Sequence, residues 1–95
     1  MAALVIVNIN ITDPVRYEEY KRIAAPTVVA HGGRYVVRGG RFEALEGAWR
    51  PGRIVVLEFP SLERAKEWWE SDSYRPAKEL RHACAKTEML LVEGV

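Results

Sequence analysis

Hydrophobic and β-branched residues form four short stretches along the chain, and two longer stretches between them have helical spacing. Short runs of β-branched or alternating residues are typical of strands. We predict strands at residues 3–11 (ALVIVNINI), 34–38 (RYVVR), 53–59 (RIVVLEF) and 87–93 (TEMLLVE). The stretches between them predict the helices.

The first helix is predicted to begin after Asp13 and Pro14, since a carboxylate N-cap followed by proline favours a helix start. Pro26 lies inside the same helical pattern. Because its ring collides with the carbonyl group four residues earlier, Pro26 is expected to kink or end this helix.

The second helical stretch begins at Ser61, a favourable N-cap residue. Its inner stripe is predicted to carry Ala65 and Trp69, and Trp68 and Trp69 cannot both face inward. A break is expected around residues 71–73, and the restarted helix is expected to end at Lys86.

The resulting order is β-α-β-β-α-β over a single domain, residues 1–95. Right-handed crossovers in both halves predict an α+β, ferredoxin-like fold. It has a four-stranded antiparallel sheet with two helices on one face.

Alternation of side chains along each strand assigns the residues to two faces of the sheet. The face beneath the helices is predicted to carry Val5, Val7, Ile9, Ile11, Tyr35, Val37, Val55, Leu57, Phe59, Leu90 and Val92. The other face is predicted to carry Leu4, Ile6, Asn8, Asn10, Arg34, Val36, Arg38, Ile54, Val56, Glu58, Met89, Leu91 and Glu93. That second face is apolar in the middle and has no helix to cover it. We therefore expect a homodimer with the sheets face to face, enclosing a polar-lined space for a small-molecule ligand.

Glu58 interrupts an apolar strand and is a candidate catalytic residue. If the neighbouring strands pair so that Arg38 faces Ile54, Arg34 lies opposite Glu58 as an ion pair. Glu58 is then either a general acid or base whose pKa is set by burial, or half of a structural salt bridge.

Arg38 is the second candidate, for catalysis and for ligand binding, and it precedes Gly39 and Gly40. Its planar guanidinium can hold a carboxylate or phosphate, or it can anchor the loop. Arg34 is a candidate ligand-binding residue beside it. Asn8 and Asn10 are candidates at the same end of the space, or they bond to loop backbone.

No metal site and no cofactor are expected. His82 and Cys84 are two residues apart on a helix, which places them on different faces, and no second cluster of histidine or cysteine accompanies His31. Cys84 is the only cysteine, so no internal disulfide is possible.

The net charge of +1 provides no electrostatic basis for binding nucleic acid or an anionic membrane. RNA-binding sheets present aromatic residues for base stacking, and the third strand offers none on the uncovered face. The N-terminal stretch is too short for a membrane span and lacks the basic start of a signal peptide. A cytoplasmic location is expected.

Several segments resemble one bacterial family, in the same order along the chain: GGRYVVRGG, LEG, PGRIVVLEFPS and SDSYRPAKELR. The chain resembles the domain of unknown function 1330 family of the dimeric α+β barrel superfamily. The residues that carry the resemblance are Arg38, Gly39, Gly40, Glu46, Gly47, Arg53, Glu58, Phe59, Tyr74 and Arg81. The resemblance implies the ferredoxin-like fold and a twofold dimer. It implies no reaction, because related barrels include cofactor-free monooxygenases, lactone isomerases and haem enzymes.

Two functions remain open from sequence. In the first, the protein binds or converts a small molecule, such as an anion, between the two sheets. In the second, it is a non-catalytic ligand-sensing or dimerisation module. A small molecule identified by mass spectrometry in the purified protein would distinguish them.

Overall fold

The chain forms four strands and three helices, and the computed structural model describes residues 1–95. The elements are β1 (Ala3–Ile11), α1 (Pro14–Ala30), β2 (Arg34–Arg38), β3 (Arg53–Phe59), α2 (Leu62–Glu70), α3 (Arg75–Cys84) and β4 (Ala85–Glu93). The sheet order is β2-β3-β1-β4, and all neighbouring strands are antiparallel. The ferredoxin-like prediction is confirmed. No helix combines the length and the apolar character that crossing a membrane requires.

The two predicted helix starts are confirmed by their caps. Asp13 accepts a hydrogen bond from the backbone N–H of Arg16 at 3.2 Å, and Ser61 accepts one from Arg64 N–H at 3.2 Å. Each cap satisfies a backbone donor that the first turn leaves without a helical partner.

The first helix does not end at Pro26 but continues to Ala30. Thr27 and Val28 follow the proline and are buried. Burying a valine side chain contributes about 1.5–3 kcal/mol, which offsets much of the roughly 3 kcal/mol that a proline costs inside a helix. Thr27 Oγ1 also donates to the carbonyl of Ala24 at 2.6 Å. Tertiary burial therefore extends the helix beyond the point that local sequence predicts.

The break in the second helical stretch is real and separates α2 from α3, so three helices cover the sheet rather than two. Trp68 faces inward, and the predicted inward Trp69 is wrong, since Trp69 is 43% exposed. Trp68 lies between the rings of Phe59 and Tyr74, with centroid distances of 5.3 and 4.2 Å. Adjacent residues of a helix point about 100° apart, so only one of the two tryptophans can face the sheet. Packing against the sheet decides which one it is.

The faces of β4 are the reverse of those predicted. Met89 pairs with Val7 and Leu91 with Val5, so these residues lie under the helices. Leu90 and Val92 lie on the uncovered face instead, 63% and 41% exposed. Both faces of β4 are apolar, and a register shift of one residue exchanges them.

A β-bulge at Val36 changes the face of Arg38. Tyr35 pairs with Leu57 as alternation requires, but Val37 then pairs with Val56 and Arg38 with Val55. The extra residue returns Arg38 to the helix-covered face. The predicted placement of Arg38 on the uncovered face, opposite Ile54, is therefore wrong.

The sheet face away from the helices is called the open face. It carries Leu4, Ile6, Asn8, Arg34, Val37, Ile54, Val56, Glu58, Glu88, Leu90 and Val92. The loop at residues 39–52 lies beside one end of this face, where Trp49 borders a groove with Ile6 and Ile54. Trp49 remains 64% exposed, so the loop does not cover the face.

Candidate functional site

A narrow pocket lies between α1 and the helix-covered face of the sheet, and it is called the α1 pocket. Its polar lining consists of Tyr17, Tyr20, Lys21, Tyr35, Arg38 and Arg53. The rest of the lining is apolar, and no aspartate or glutamate contributes to it. The volume of about 20 Å³ is large enough for one group the size of a water molecule.

Arg38 reaches this pocket because of the bulge that precedes it. Its guanidinium carbon lies 4.2 Å from the centre of the Tyr35 ring. A cation above an aromatic face in an exposed setting is stabilised by about 0.5–1 kcal/mol. Arg38 is exposed, so it forms the solvent end of the pocket and can rotate away from Tyr35.

Arg53 begins β3 and lies against Gly39, whose φ of +72° is favourable only for glycine. The Arg53 guanidinium occupies the space that a Cβ atom on Gly39 would need. Its carbon lies 5.7 Å from the centre of the Tyr17 ring, and its Nε is buried without a hydrogen-bond acceptor. Gly39 thus makes room for a partly buried cation that lacks a full set of partners.

Neither arginine of the α1 pocket has a carboxylate partner. The side-chain ion pairs of the protein are Lys21–Glu18, Arg22–Glu19, Arg34–Glu58, Arg64–Glu67 and Arg75–Asp72. Lys21 is therefore neutralised by Glu18, whereas Arg38 and Arg53 keep an uncompensated positive charge at the pocket.

A hydrogen-bonded chain of three side chains leads from the interior to Tyr20. Arg81, only 2% exposed, donates its Nε–H to the Tyr74 hydroxyl at 3.3 Å. The Tyr74 hydroxyl lies 2.9 Å from that of Tyr20. Arg81 also donates to Thr87 Oγ1, and it belongs to no ion pair. Its charge is held in the interior by hydroxyl oxygens alone.

The tyrosines of the pocket stay protonated at physiological pH. Burial raises the pKa of Tyr17 and of Tyr35 above the ordinary value, although Arg53 opposes the effect at Tyr17 and Arg38 at Tyr35. Burial, followed by the neighbouring Tyr74, raises the pKa of Tyr20 strongly. Neutral tyrosine hydroxyls and guanidinium groups give the pocket an excess of hydrogen-bond donors over acceptors.

The predicted ion pair between Glu58 and Arg34 is confirmed, with Arg34 Nε donating to Glu58 Oε1 at 2.8 Å. This pair lies on the open face, however, and Arg38 lies on the opposite side of the sheet. The two candidate catalytic residues do not share a cavity within the chain, because the bulge separates them. The pair is partly exposed within one protomer, and exposed ion pairs contribute about 0–1 kcal/mol to the free energy of unfolding.

Asn8 and Asn10 lie beside the loop exit, not beside Arg38. Asn8 Oδ1 accepts a hydrogen bond from the Gly52 N–H at 2.9 Å, and Asn8 Nδ2 lies 3.4 Å from Glu88 Oε1. Asn10 Oδ1 lies in the space that a Cβ atom on Gly52 would need. Of the two interpretations, the contact with loop backbone is the one that Asn8 makes.

His31 contacts the backbone of its own helix, and Cys84 is buried in the core. His31 Nδ1 lies 2.8 Å from the carbonyl oxygen of Thr27. Cys84 is buried, and burial raises the pKa of its thiol. No three side chains of histidine, cysteine, aspartate or glutamate come together as metal ligands.

Sequence reasoning overlooked Tyr20 and the role of Arg53 as pocket residues. Neither Tyr17 nor Tyr20 was a candidate, and Arg53 was only the first residue of a predicted strand. Arg53, Tyr74 and Arg81 all stand among the residues that carry the family resemblance. A basic residue directly before the apolar run IVVL is the signal that could have identified Arg53.

Solved structures with the same fold define the class of this chain. A protein of unknown function from Rhodopseudomonas palustris is 19% identical, with a TM-score of 0.80 over 99% of this chain and 82% of that one. SnoaB, a cofactor-independent oxygenase from Streptomyces nogalater, is 11% identical, with a TM-score of 0.69 over 99% and 93%. A putative antibiotic biosynthesis monooxygenase from Nitrosomonas europaea is 16% identical, with a TM-score of 0.62 over 100% and 99%. The class is the ferredoxin-like α+β fold, which this chain shares with all three.

Within that class, the chain belongs to the family described as domain of unknown function (DUF1330), whose model matches residues 2–95. The resemblance inferred from sequence is confirmed. No curated protein matches the chain.

Proposed function

We propose that this protein binds a small organic anion in the α1 pocket. The observation that carries the proposal is the pair of guanidinium groups, Arg38 and Arg53, at a pocket without any carboxylate. The site differs from the inter-sheet space expected from sequence, because the bulge turns Arg38 towards α1.

The energetics of Arg53 favour an anionic ligand. A buried polar group without a hydrogen-bond partner costs about 1–3 kcal/mol, and more when it is charged. A carboxylate or phenolate oxygen beside the buried Nε of Arg53 would remove that cost and supply a charge-assisted hydrogen bond. The small enclosed volume suits one oxygen of the ligand, with the remainder at the mouth where Arg38 is free to move.

The oxygenase and the putative monooxygenase share only the fold with this chain at 11% and 16% identity. Their reactions are not carried over. We therefore propose binding of the anion, and no reaction, at the α1 pocket.

The test compares Arg53→Gln with the wild-type protein by isothermal titration against acetate, benzoate and inorganic phosphate. We expect Arg53→Gln to weaken binding of the preferred anion about 10- to 100-fold, since a hydrogen bond to a charged group contributes about 1.5–3 kcal/mol. Arg34→Gln is the matched control, because Arg34 lies on the open face and leaves the pocket unchanged. Equal affinities for wild type and both variants, or no binding of any anion, would exclude the proposed site.

We also propose that the protein works as a homodimer, with the open face of one protomer against that of its partner. The open face has apolar residues at its centre and no helix over it. Four strands about 4.8 Å apart and mostly seven to nine residues long give an area on the order of 500 Å² per protomer. Two such faces reach about 1,000 Å², the lower bound of a specific interface, and the exposed side chains of Phe42, Leu45 and Trp49 can extend it.

Light scattering on a sizing column at micromolar concentration measures this assembly directly. We expect about twice the chain mass of 10.8 kDa. We expect a dimer because association buries the apolar open faces of both protomers, and no other element of the chain covers them. A monodisperse 10.8 kDa species across this concentration range would contradict the dimer.

A further inference from the structure

We propose that Tyr20 is a directed hydrogen-bond donor to the ligand of the α1 pocket, oriented by Tyr74 and Arg81. This inference rests on the proposed function, because it concerns the same pocket. It assigns the ligand class more narrowly, as a molecule that places an ionised or carbonyl oxygen, such as that of a phenolate or enolate, against the Tyr20 hydroxyl.

The direction of the hydrogen-bonded chain follows from Arg81. A guanidinium group has only donors, so the Tyr74 oxygen accepts the bond from Arg81 Nε. Arg81 is 2% exposed and has no carboxylate partner, so this bond and the one to Thr87 compensate a buried charge. The acceptor role of Tyr74 towards Arg81 is fixed by this requirement.

The proton of Tyr74 then has one destination. Tyr74 is fully buried, and its hydroxyl has two neighbours within hydrogen-bond distance, Arg81 Nε and Tyr20 Oη. Arg81 cannot accept, so the Tyr74 O–H donates to Tyr20. The opposite direction would leave a buried hydroxyl proton without an acceptor, which costs about as much as a lost hydrogen bond.

The proton of Tyr20 is consequently free to be donated to a ligand. Tyr20 is half-buried and lines the α1 pocket, and no other acceptor within the chain bonds to its hydroxyl. The buried positive charge of Arg81 polarises both hydroxyls in the same sense and strengthens the donor at the end of the chain. Together with Arg38 and Arg53, this gives the ligand oxygen donors from α1 and from the sheet.

The experiment uses 4-nitrophenol, whose absorbance reports whether the bound molecule is phenol or phenolate. The wild-type pocket is expected to bind the phenolate and to lower the apparent pKa of the bound probe. Tyr20→Phe should raise that apparent pKa by about 1 relative to wild type, and weaken phenolate binding about tenfold. Tyr74→Phe should shift it in the same direction by a smaller amount, although Tyr74 does not line the pocket.

Controls distinguish this inference from the proposed function. Arg34→Gln should leave the bound probe unchanged, and circular dichroism should show each variant folded. If wild type binds neither 4-nitrophenolate nor any of acetate, benzoate and phosphate, the proposed function fails and this inference fails with it. If one of the other anions binds and 4-nitrophenolate does not, this inference alone is overturned. If the probe binds and Arg53→Gln weakens it, but Tyr20→Phe and Tyr74→Phe leave its apparent pKa as in wild type, the directed donor alone is overturned.

Discussion

Replacing Trp68 by alanine is expected to lower the free energy of unfolding by about 3–5 kcal/mol, the usual cost of removing a fully buried aromatic side chain. Trp68 is 1% exposed and lies between Phe59 and Tyr74. Its indole N–H donates to Thr27 Oγ1 at 3.1 Å, and this hydrogen bond links α2 to α1 at the residue that follows Pro26. Small domains have about 5–15 kcal/mol of total stability, so this variant should be close to unfolding.

The neighbouring tryptophan provides the matched control. Trp69→Ala removes the same side chain from an adjacent helical position, but Trp69 is 43% exposed and its ring contacts the Lys78 ammonium at 3.7 Å. A loss of about 1 kcal/mol or less is expected there. Chemical denaturation at a fixed protein concentration measures the free energy of unfolding of both variants. Equal losses would show that Trp68 is not the residue that fills the core.

Elements with local determinants were predictable from sequence. The caps Asp13 and Ser61 act on backbone donors three residues away, and the β-branched runs of β1 and β3 form strands at the predicted bounds. These features depend on contacts between a side chain and the backbone within one helical turn, or on the residue types of one strand. Residues that are close in sequence therefore determine them. The ferredoxin-like order followed from the sequence of elements.

Features that depend on pairing between distant segments were not predictable. Val36 resembles any other strand residue, and only the register of its neighbours Tyr35 and Val37 against β3 shows that it is the extra, unpaired residue. The same bulge moved Arg38 from the predicted face to the α1 pocket. In β4, Met89 and Leu90 are both apolar, so only the register with β1 decides which of them faces the helices.

The candidate site combines both kinds of information. Arg38 was identified as an anion-binding candidate from its residue type and its neighbouring glycines, and this role stays a prediction at a different location. Tyr20 lies in α1, whereas Tyr74 caps α3 and Arg81 lies within it, and the contact of 2.9 Å between Tyr20 and Tyr74 exists only in the folded chain. A directed donor of this kind cannot be deduced from spacing.

Replacing Leu90 by aspartate is expected to convert the proposed dimer to a monomer at micromolar concentration. Leu90 lies on the open face opposite Ile6 and is 63% exposed within one protomer, so the substitution should leave the fold of the chain intact. Against a partner sheet, each carboxylate would lose its hydration without gaining a counter-ion, at a cost of several kcal/mol. Twofold symmetry places two such charges in every dimer, so the penalty is incurred twice.

Sedimentation equilibrium across a concentration series measures the change as a dissociation constant. We expect an increase of at least about 1,000-fold, since every 1.4 kcal/mol corresponds to a factor of ten. Val15→Asp is the matched control, because Val15 is 81% exposed on α1, on the helix side of the sheet, and the same charge there should leave the dimer as tight as wild type. If Leu90→Asp and Val15→Asp dimerise equally well, the open face is not the interface, and its apolar residues need another occupant. Circular dichroism on both variants would show that the difference arises from association, because each protomer keeps its helices and its sheet.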